Sequence, residues 1–136
     1  MPRSQFLRLA TPQDMWQKAK RELIRFEGGP SVDHAYNFFV TVSHIRDYAK
    51  VAGLDLSALD RNADFELCRL ACNSAKHLNL TGGTASHAAK RLFDSHADVA
   101  CEGDEEYALV ADGQRIPVLT VGRRVLASLQ TWLQIP

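Results

Sequence analysis

The chain has 136 residues, of which 46% are hydrophobic and 24% are charged. This composition is typical of a folded globular protein and excludes a disordered one. Sixteen Lys and Arg residues balance sixteen Asp and Glu residues, so the protein lacks the overall positive charge that marks many nucleic-acid-binding proteins. A local basic patch is still compatible with this balance.

The cysteines and the first residues bear on the cellular compartment. Cys68, Cys72 and Cys101 follow no disulfide or zinc-binding spacing, and the start of the chain lacks the apolar core of a signal peptide. No window is apolar for long enough to span a membrane. These features favour a cytoplasmic protein without a membrane segment. Since no phosphate-binding glycine loop or nucleophile motif is present, we expect no cofactor.

Capping residues and apolar spacing predict the first two helices. Thr11 can cap a helix over Pro12–Phe26, which the two following glycines end. A second helix is expected between an N-cap at Ser31 and a closing Gly53. Its apolar residues recur every three or four positions, as on one buried helix face: Ala35, Phe38, Phe39, Val42, Ile45, Ala49 and Ala52.

The second half of the chain predicts further helices and a hairpin. A third helix is expected over Asn62–Leu78, and a shorter, more exposed one from Thr84 or Ser86 to Phe93. Strands are then expected over Glu106–Val110 and Arg115–Leu119, joined by the turn signal Asp112-Gly113, with Pro117 favouring an edge position. A last helix over Val121–Leu133 completes one domain over residues 1–136. The predicted fold class is mainly α, an antiparallel helical bundle with one small β-hairpin before the C-terminal helix.

Two polar rows at helical spacing are the candidate site. The row on the second helix consists of Asn37, Thr41, His44 and Tyr48. The row on the third helix consists of Asn62, Glu66, Arg69, Asn73 and Lys76, with His77 beside its end. If a short connection makes these helices antiparallel neighbours, His44 should lie near Arg69 and Thr41 near Asn73. Asn37 should then lie near Lys76 and His77.

Such a cluster has the groups needed to bind or cut a phosphodiester. His44 or His77 could serve as acid or base near neutral pH. Arg69 and Lys76 could hold a phosphate, and Asn37 and Asn73 could orient the substrate. If His44 is buried beside a guanidinium, its imidazolium form is disfavoured, which leaves the neutral ring of a general base.

Two other interpretations of these residues stay open. Polar rows on amphipathic helices are commonly solvated faces, in which case the side chains have no ligand. A metal site could in principle combine His44 and Asp47 with His34, Cys72 or His77. No HExxH, HxH or CxxC pair anchors such a site, so we predict no metal.

The segments AYNFFVTVSHIRDYAK and LACNSAKHLNL resemble a group of small bacterial and phage helical proteins without an assigned activity. The paired long helices with a late polar-histidine motif are also loosely similar to the HEPN superfamily, many of whose members are dimeric, metal-independent RNases or toxin components. That superfamily has an Arg followed by His after four to six residues. Arg69 and His77 have seven between them, whereas Arg91 and His96 have four.

The HEPN resemblance implies an RNA-binding protein or metal-independent ribonuclease, and the polar rows supply His44, Arg69 and His77 as its candidate catalytic residues. Asn37, Asn73 and Lys76 would bind the substrate. A homodimer is expected as well, because the first half of the second helix is apolar nearly all round. The alternative is a non-catalytic interaction or regulatory domain, a homodimer or a subunit of a larger complex, whose polar rows only fix the helix register.

Overall fold

The computed structural model describes residues 9–76, 99–100, 107–111 and 114–136. In this part of the chain a helical bundle is joined by a small antiparallel sheet that precedes the last helix, which confirms the predicted fold class. The helices are α1 (Pro12–Gly28), α2 (Val32–Val51), α3 (Ser57–Asp60), α4 (Ala63–Lys76) and α5 (Val118–Trp132). The strands are β1 (Val99–Ala100), β2 (Ala108–Ala111) and β3 (Gln114–Pro117).

The predicted caps position α1 and α2. The Thr11 hydroxyl accepts a hydrogen bond from the Asp14 amide, and the Asp14 carboxylate accepts one from the Thr11 amide, which forms a capping box. Ser31 caps α2 by accepting from the His34 amide at 3.0 Å. After α2, Gly53 adopts φ +80°, a left-handed conformation that costs glycine little.

The core forms around α2, which packs against α1 on one side and α4 on another. Phe38, Phe39, Val42 and Ile45 are at most 1% exposed, as their spacing predicts. Gly122 of α5 allows a close approach to this layer, since an added Cβ would lie 2.8 Å from Leu23 Cδ1. The α5 residues Val121, Val125 and Leu129 complete the same core.

The sheet has the strand order β1–β2–β3, and the sequence analysis missed the short strand β1. β2 and β3 pair in the register Ala108↔Pro117 to Ala111↔Gln114, so Pro117 lies on an edge strand as predicted. Helix α5 begins directly after it, at Val118 rather than the predicted Val121. The Val118 amide donates to Tyr107 O at 2.9 Å, which satisfies one of the free N–H groups of the first turn.

Several predictions concern residues that the structure does not describe. They include the end of the third helix beyond Lys76, the predicted fourth helix, the Asp112-Gly113 turn, the Arg91–His96 motif and Cys101. Within the described ranges, none of the helices combines the length and apolar composition that crossing a bilayer requires.

One premise of the homodimer prediction is wrong. Most apolar residues in the first half of α2 are covered within a single chain, because α1 and α4 pack against this helix and residues of α5 belong to the same core. Val32, which is 50% exposed, is the only large hydrophobic residue in that half of α2 that is open to solvent. The apolar character of α2 therefore follows from its central position and does not require a second copy.

Candidate functional site

A cleft of about 530 Å³ opens between the second half of α2 and helix α4. We call it the α2–α4 cleft. Helix α2 contributes Ser43, His44, Arg46 and Asp47. Asp60, at the end of α3, and the α4 residues Glu66, Arg69, Cys72 and Asn73 complete the lining. His44, Arg69 and Asn73 thus line the same cleft.

The first ion pair of the cleft joins α2 to α3. Arg46 donates from Nε to Asp60 Oδ1 at 2.8 Å and from Nη2 to Asp60 Oδ2 at 3.0 Å. This bidentate geometry is the strongest that arginine and a carboxylate form. Because Asp60 ends the four-residue helix α3, the pair holds this short helix at the rim of the cleft.

The second ion pair lies within α4. Arg69 donates from Nε to Glu66 Oε2 at 3.0 Å and from Nη2 to Glu66 Oε1 at 2.5 Å. The two residues are one helical turn apart, where side chains of a helix meet. In both Arg46 and Arg69, the carboxylate bonds to the Nε–Nη2 edge of the guanidinium. The N–H groups on Nη1 take no part in these ion pairs.

These pairs shift the pKa values of their members. The hydrogen bonds from Arg46 lower the pKa of Asp60, and those to Asp60 raise the pKa of Arg46. Hydrogen bonds to Glu66 likewise raise the pKa of Arg69, and the charge of Asp60 adds to that increase. Asp60 therefore acts electrostatically on both arginines, which makes the paired side chains one charged network.

Four polar groups of the cleft stay unpaired among the described residues, and one of them is the Ser43 hydroxyl, which is buried without a hydrogen-bond partner. His44, Asp47 and Asn73 form no ion pair or side-chain hydrogen bond with any residue in the described ranges. His44 is exposed, so the condition of burial beside a guanidinium is not met. His44, Asp47 and Asn73 are available to a ligand, whereas each guanidinium already uses part of its N–H groups in an ion pair.

The other predicted site residues do not join the cleft in the described structure. Asn37 is exposed on α2 and does not line it, because seven residues separate it from His44, about 10 Å along the axis. Lys76 ends α4, and its side chain lies outside the described structure, as does the whole of His77. Asn62 caps α4, since its Oδ1 accepts from the Phe65 amide at 2.8 Å.

Thr41 belongs to a separate polar cluster on the α1 side of α2. It is 1% exposed, and its hydroxyl accepts from Lys18 Nζ at 2.8 Å. The same ammonium donates to Glu22 Oε2 at 2.9 Å, while Glu22 Oε1 is buried without a partner. We call Lys18, Glu22 and Thr41 the α1-side cluster. Thr41 therefore faces α1, and its predicted role beside Asn73 is not supported.

The charge of the α2–α4 cleft is mixed. Two guanidiniums face three carboxylates, which leaves one net negative charge when His44 is neutral. Among the residues that the structure describes, no three His, Cys, Asp or Glu side chains are arranged to hold a metal ion. Chemically, the cleft offers an exposed acid–base group, an amide and two oriented guanidiniums.

The ion pairs of the cleft are not among the predictions from the sequence, although one of them has a local signal. Glu66 and Arg69 belong to the predicted polar row and are spaced for an ion pair on one helix. Asp60 precedes the predicted third helix. No local pattern links it to Arg46, fourteen positions away, so this contact requires the folded structure.

Comparisons of the chain with protein-family models, with curated proteins and with solved structures find no match.

Proposed function

We propose that the α2–α4 cleft binds single-stranded RNA and cleaves its phosphodiester bonds without a metal ion, as a HEPN-like ribonuclease. One observation carries this proposal: His44 of α2 lies in the same cleft as Arg69 and Asn73 of α4. An acid–base group, a fixed cation and an amide on facing helices are the parts that metal-independent phosphodiester cleavage needs.

The proposed reaction is an internal transesterification. His44 accepts the proton of the ribose 2′-hydroxyl, and the 2′-oxygen forms a bond to phosphorus while the bond from phosphorus to the 5′-oxygen breaks. The products are a 2′,3′-cyclic phosphate and a free 5′-hydroxyl, so no oxidant, reductant or further reactant is consumed. The leaving 5′-oxygen takes a proton from His77 or from water. The assignment to His77 rests on the sequence alone.

Arg69 stabilises the charge that develops on the phosphate, using N–H groups that Glu66 does not occupy. Glu66 orients the guanidinium, so less conformational freedom is lost when the substrate binds. Asn73 positions the phosphate or the ribose. Asn37 and Lys76 would contact neighbouring nucleotides.

A second candidate function is a non-catalytic interaction domain. It is favoured by the pairing of both guanidiniums with carboxylates and by the net negative charge of the cleft. In that case the Arg46–Asp60 and Arg69–Glu66 pairs fix the positions of α2, α3 and α4. The cleft would then receive a polar segment of a partner protein, and His44 would have no chemical role.

The proposed setting is the cytoplasm, with two copies of the chain associated. Cys68 and Cys72 are buried free thiols, and burial raises the pKa of Cys68, which keeps it protonated and unreactive. Ile24 and Val32 are 58% and 50% exposed, which supports an apolar contact at that end of the bundle. Light scattering of the full chain measures association directly, and a monomeric mass would end the homodimer proposal.

The test of the ribonuclease proposal is cleavage of single-stranded RNA by the purified full chain in the presence of a metal chelator. Wild type should cut, and His44→Ala should lower the rate by about 10²-fold or more. His34→Ala is the matched control, because this ring bonds Gly29 O at 2.9 Å outside the cleft. Intact RNA with wild type would favour the interaction domain, and equal cleavage rates for both variants would show that His44 is not the acid–base group.

A further inference from the structure

The carboxylates of the α2–α4 cleft are not equivalent. Asp60 and Glu66 each lie against a guanidinium, with oxygen–nitrogen distances of 3.0 Å or less, so much of their charge is offset locally. Asp47 has no such partner among the described residues. Its charge therefore accounts for the net negative potential that a ligand meets in the cleft.

Asp47 also lies close enough to His44 to act electrostatically on a ligand bound there. The two residues are one turn apart on α2, and both line the cleft. The electrostatic influence of Asp47 already reaches Arg46, whose pKa it helps to raise. An anion held by the free N–H groups of the arginines would thus be attracted by two paired cations and repelled by one unpaired carboxylate.

We propose that Asp47 makes the α2–α4 cleft selective for singly charged phosphodiesters over phosphate groups that carry two negative charges. This inference rests on the proposed function and names its substrate class: the internal phosphodiesters of an RNA chain, not terminal phosphates or free nucleotides. The reason is that Coulomb repulsion grows in proportion to the charge of the ligand. The same repulsion would favour release of any product that ends in a phosphomonoester.

Asp47 is suited to a clean substitution. Because its side chain is exposed and has no ion pair in the described structure, Asp47→Asn removes the charge without leaving a buried partner. Asp33→Asn is the matched control. It removes the same charge from the same helix at an exposed position in the first turn, outside the cleft.

The experiment measures dissociation constants of two probes by NMR titration, followed at the side chains of His44 and Arg69. The first probe is a deoxydinucleoside monophosphate, which has one negative charge and no 2′-hydroxyl to react. The second is a deoxynucleoside 3′-monophosphate, which is close to doubly charged at about pH 8 because its second pKa is about 6. Wild type should bind the diester more tightly than the monoester.

Asp47→Asn should tighten binding of the diester about twofold and of the monoester about fourfold, since the energy change doubles with the ligand charge. Added salt should reduce both effects, and Asp33→Asn should leave both dissociation constants near wild type. Equal increases in affinity for the two probes, or tighter binding of the monoester by wild type, would overturn the proposed selectivity. The absence of shifts with either probe would overturn it as well.

The outcomes separate this inference from the ribonuclease proposal. If the diester binds selectively but RNA stays intact, Asp47 still selects the ligand charge and only the cleavage step is wrong. If RNA is cut and Asp47→Asn tightens binding of both probes by the same factor, the cleavage proposal stands and the role of Asp47 is wrong.

Discussion

Helix α2 separates two polar clusters that differ in their access to solvent. On one side, the α1-side cluster of Lys18, Glu22 and Thr41 is mostly enclosed, and the Glu22 side chain is 9% exposed. On the other side, the α2–α4 cleft holds ion pairs whose side chains are 35–45% exposed. Both clusters contain a cation, a carboxylate and a hydrogen-bonding neighbour, yet only the second leaves room for a ligand.

The difference shows that polar residues at helical spacing do not share one role. In the α1-side cluster, Lys18 bonds to both Glu22 and Thr41, and Glu22 Oε1 is enclosed without a partner, so we infer a structural role for this cluster. In the α2–α4 cleft, His44, Asp47 and Asn73 stay unpaired while the arginines are held by carboxylates. Unpaired groups next to fixed cations are what a binding site requires, and the predictions below test this division.

The largest effect is expected for the apolar layer on which both clusters depend. Phe38→Ala should lower the free energy of unfolding by about 3–5 kcal/mol, since the ring is fully buried in the core. Chemical denaturation measures this value. Val32→Ala, at a half-exposed position of the same helix, should change it by less than about 1 kcal/mol. Similar losses for both variants would mean that the described core is wrong.

A smaller effect should distinguish the two polar clusters directly. Glu22→Ala should cost about 1–3 kcal/mol of folding free energy, because it removes a buried hydrogen-bond acceptor of Lys18. Glu66→Ala removes an ion pair of the open cleft and should cost at most about 1 kcal/mol. The two variants can be compared in one denaturation series. A greater loss for Glu66→Ala would reverse the assignment of structural and functional clusters.

The smallest effect concerns the pH dependence of the Arg46–Asp60 pair. Because the pKa of Asp60 is lowered in the folded state, the pair stabilises the fold above the ordinary aspartate pKa of about 3.9. That contribution is lost as the pH falls through the lowered value. NMR titration of the carboxyl carbon should show the pKa of Asp60 rising toward its ordinary value in Arg46→Gln.

Asp55 is the internal control for this titration. Its pKa is also lowered, chiefly by a hydrogen bond from the Ser57 amide, which Arg46 does not contact. Arg46→Gln should therefore leave the titration of Asp55 unchanged. A shift of both carboxyls would indicate that α3 moves as a whole, and an unshifted Asp60 would mean that the ion pair is not formed in solution.

Much of the fold could be predicted because its determinants are local. The cap residues Thr11 and Ser31 bond to the first turns of their own helices, and the buried positions of α2 follow its period. The strand β1 could not be predicted in this way. It has two residues, which are too few for an alternating strand pattern to show.

Less of the site could be predicted because a spacing rule does not define the facing partner. Thr41 and His44 are three positions apart, which places them about 60° apart around the helix. That angle is enough to direct Thr41 to α1 and His44 to the α2–α4 cleft. The antiparallel register did place His44, Arg69 and Asn73 in one cleft, whereas Asp60 entered it through a contact that sequence spacing does not show.

The most direct test of the central claim is to map where RNA contacts the protein. A short single-stranded RNA with 2′-O-methyl groups cannot react, and its binding can be followed by NMR shifts of the full chain. We predict shifts concentrated at His44, Asp47, Arg69 and Asn73, with Lys18 and Thr41 of the α1-side cluster unchanged. Shifts confined to other surfaces, or none at all, would contradict the assignment of the α2–α4 cleft as the functional site.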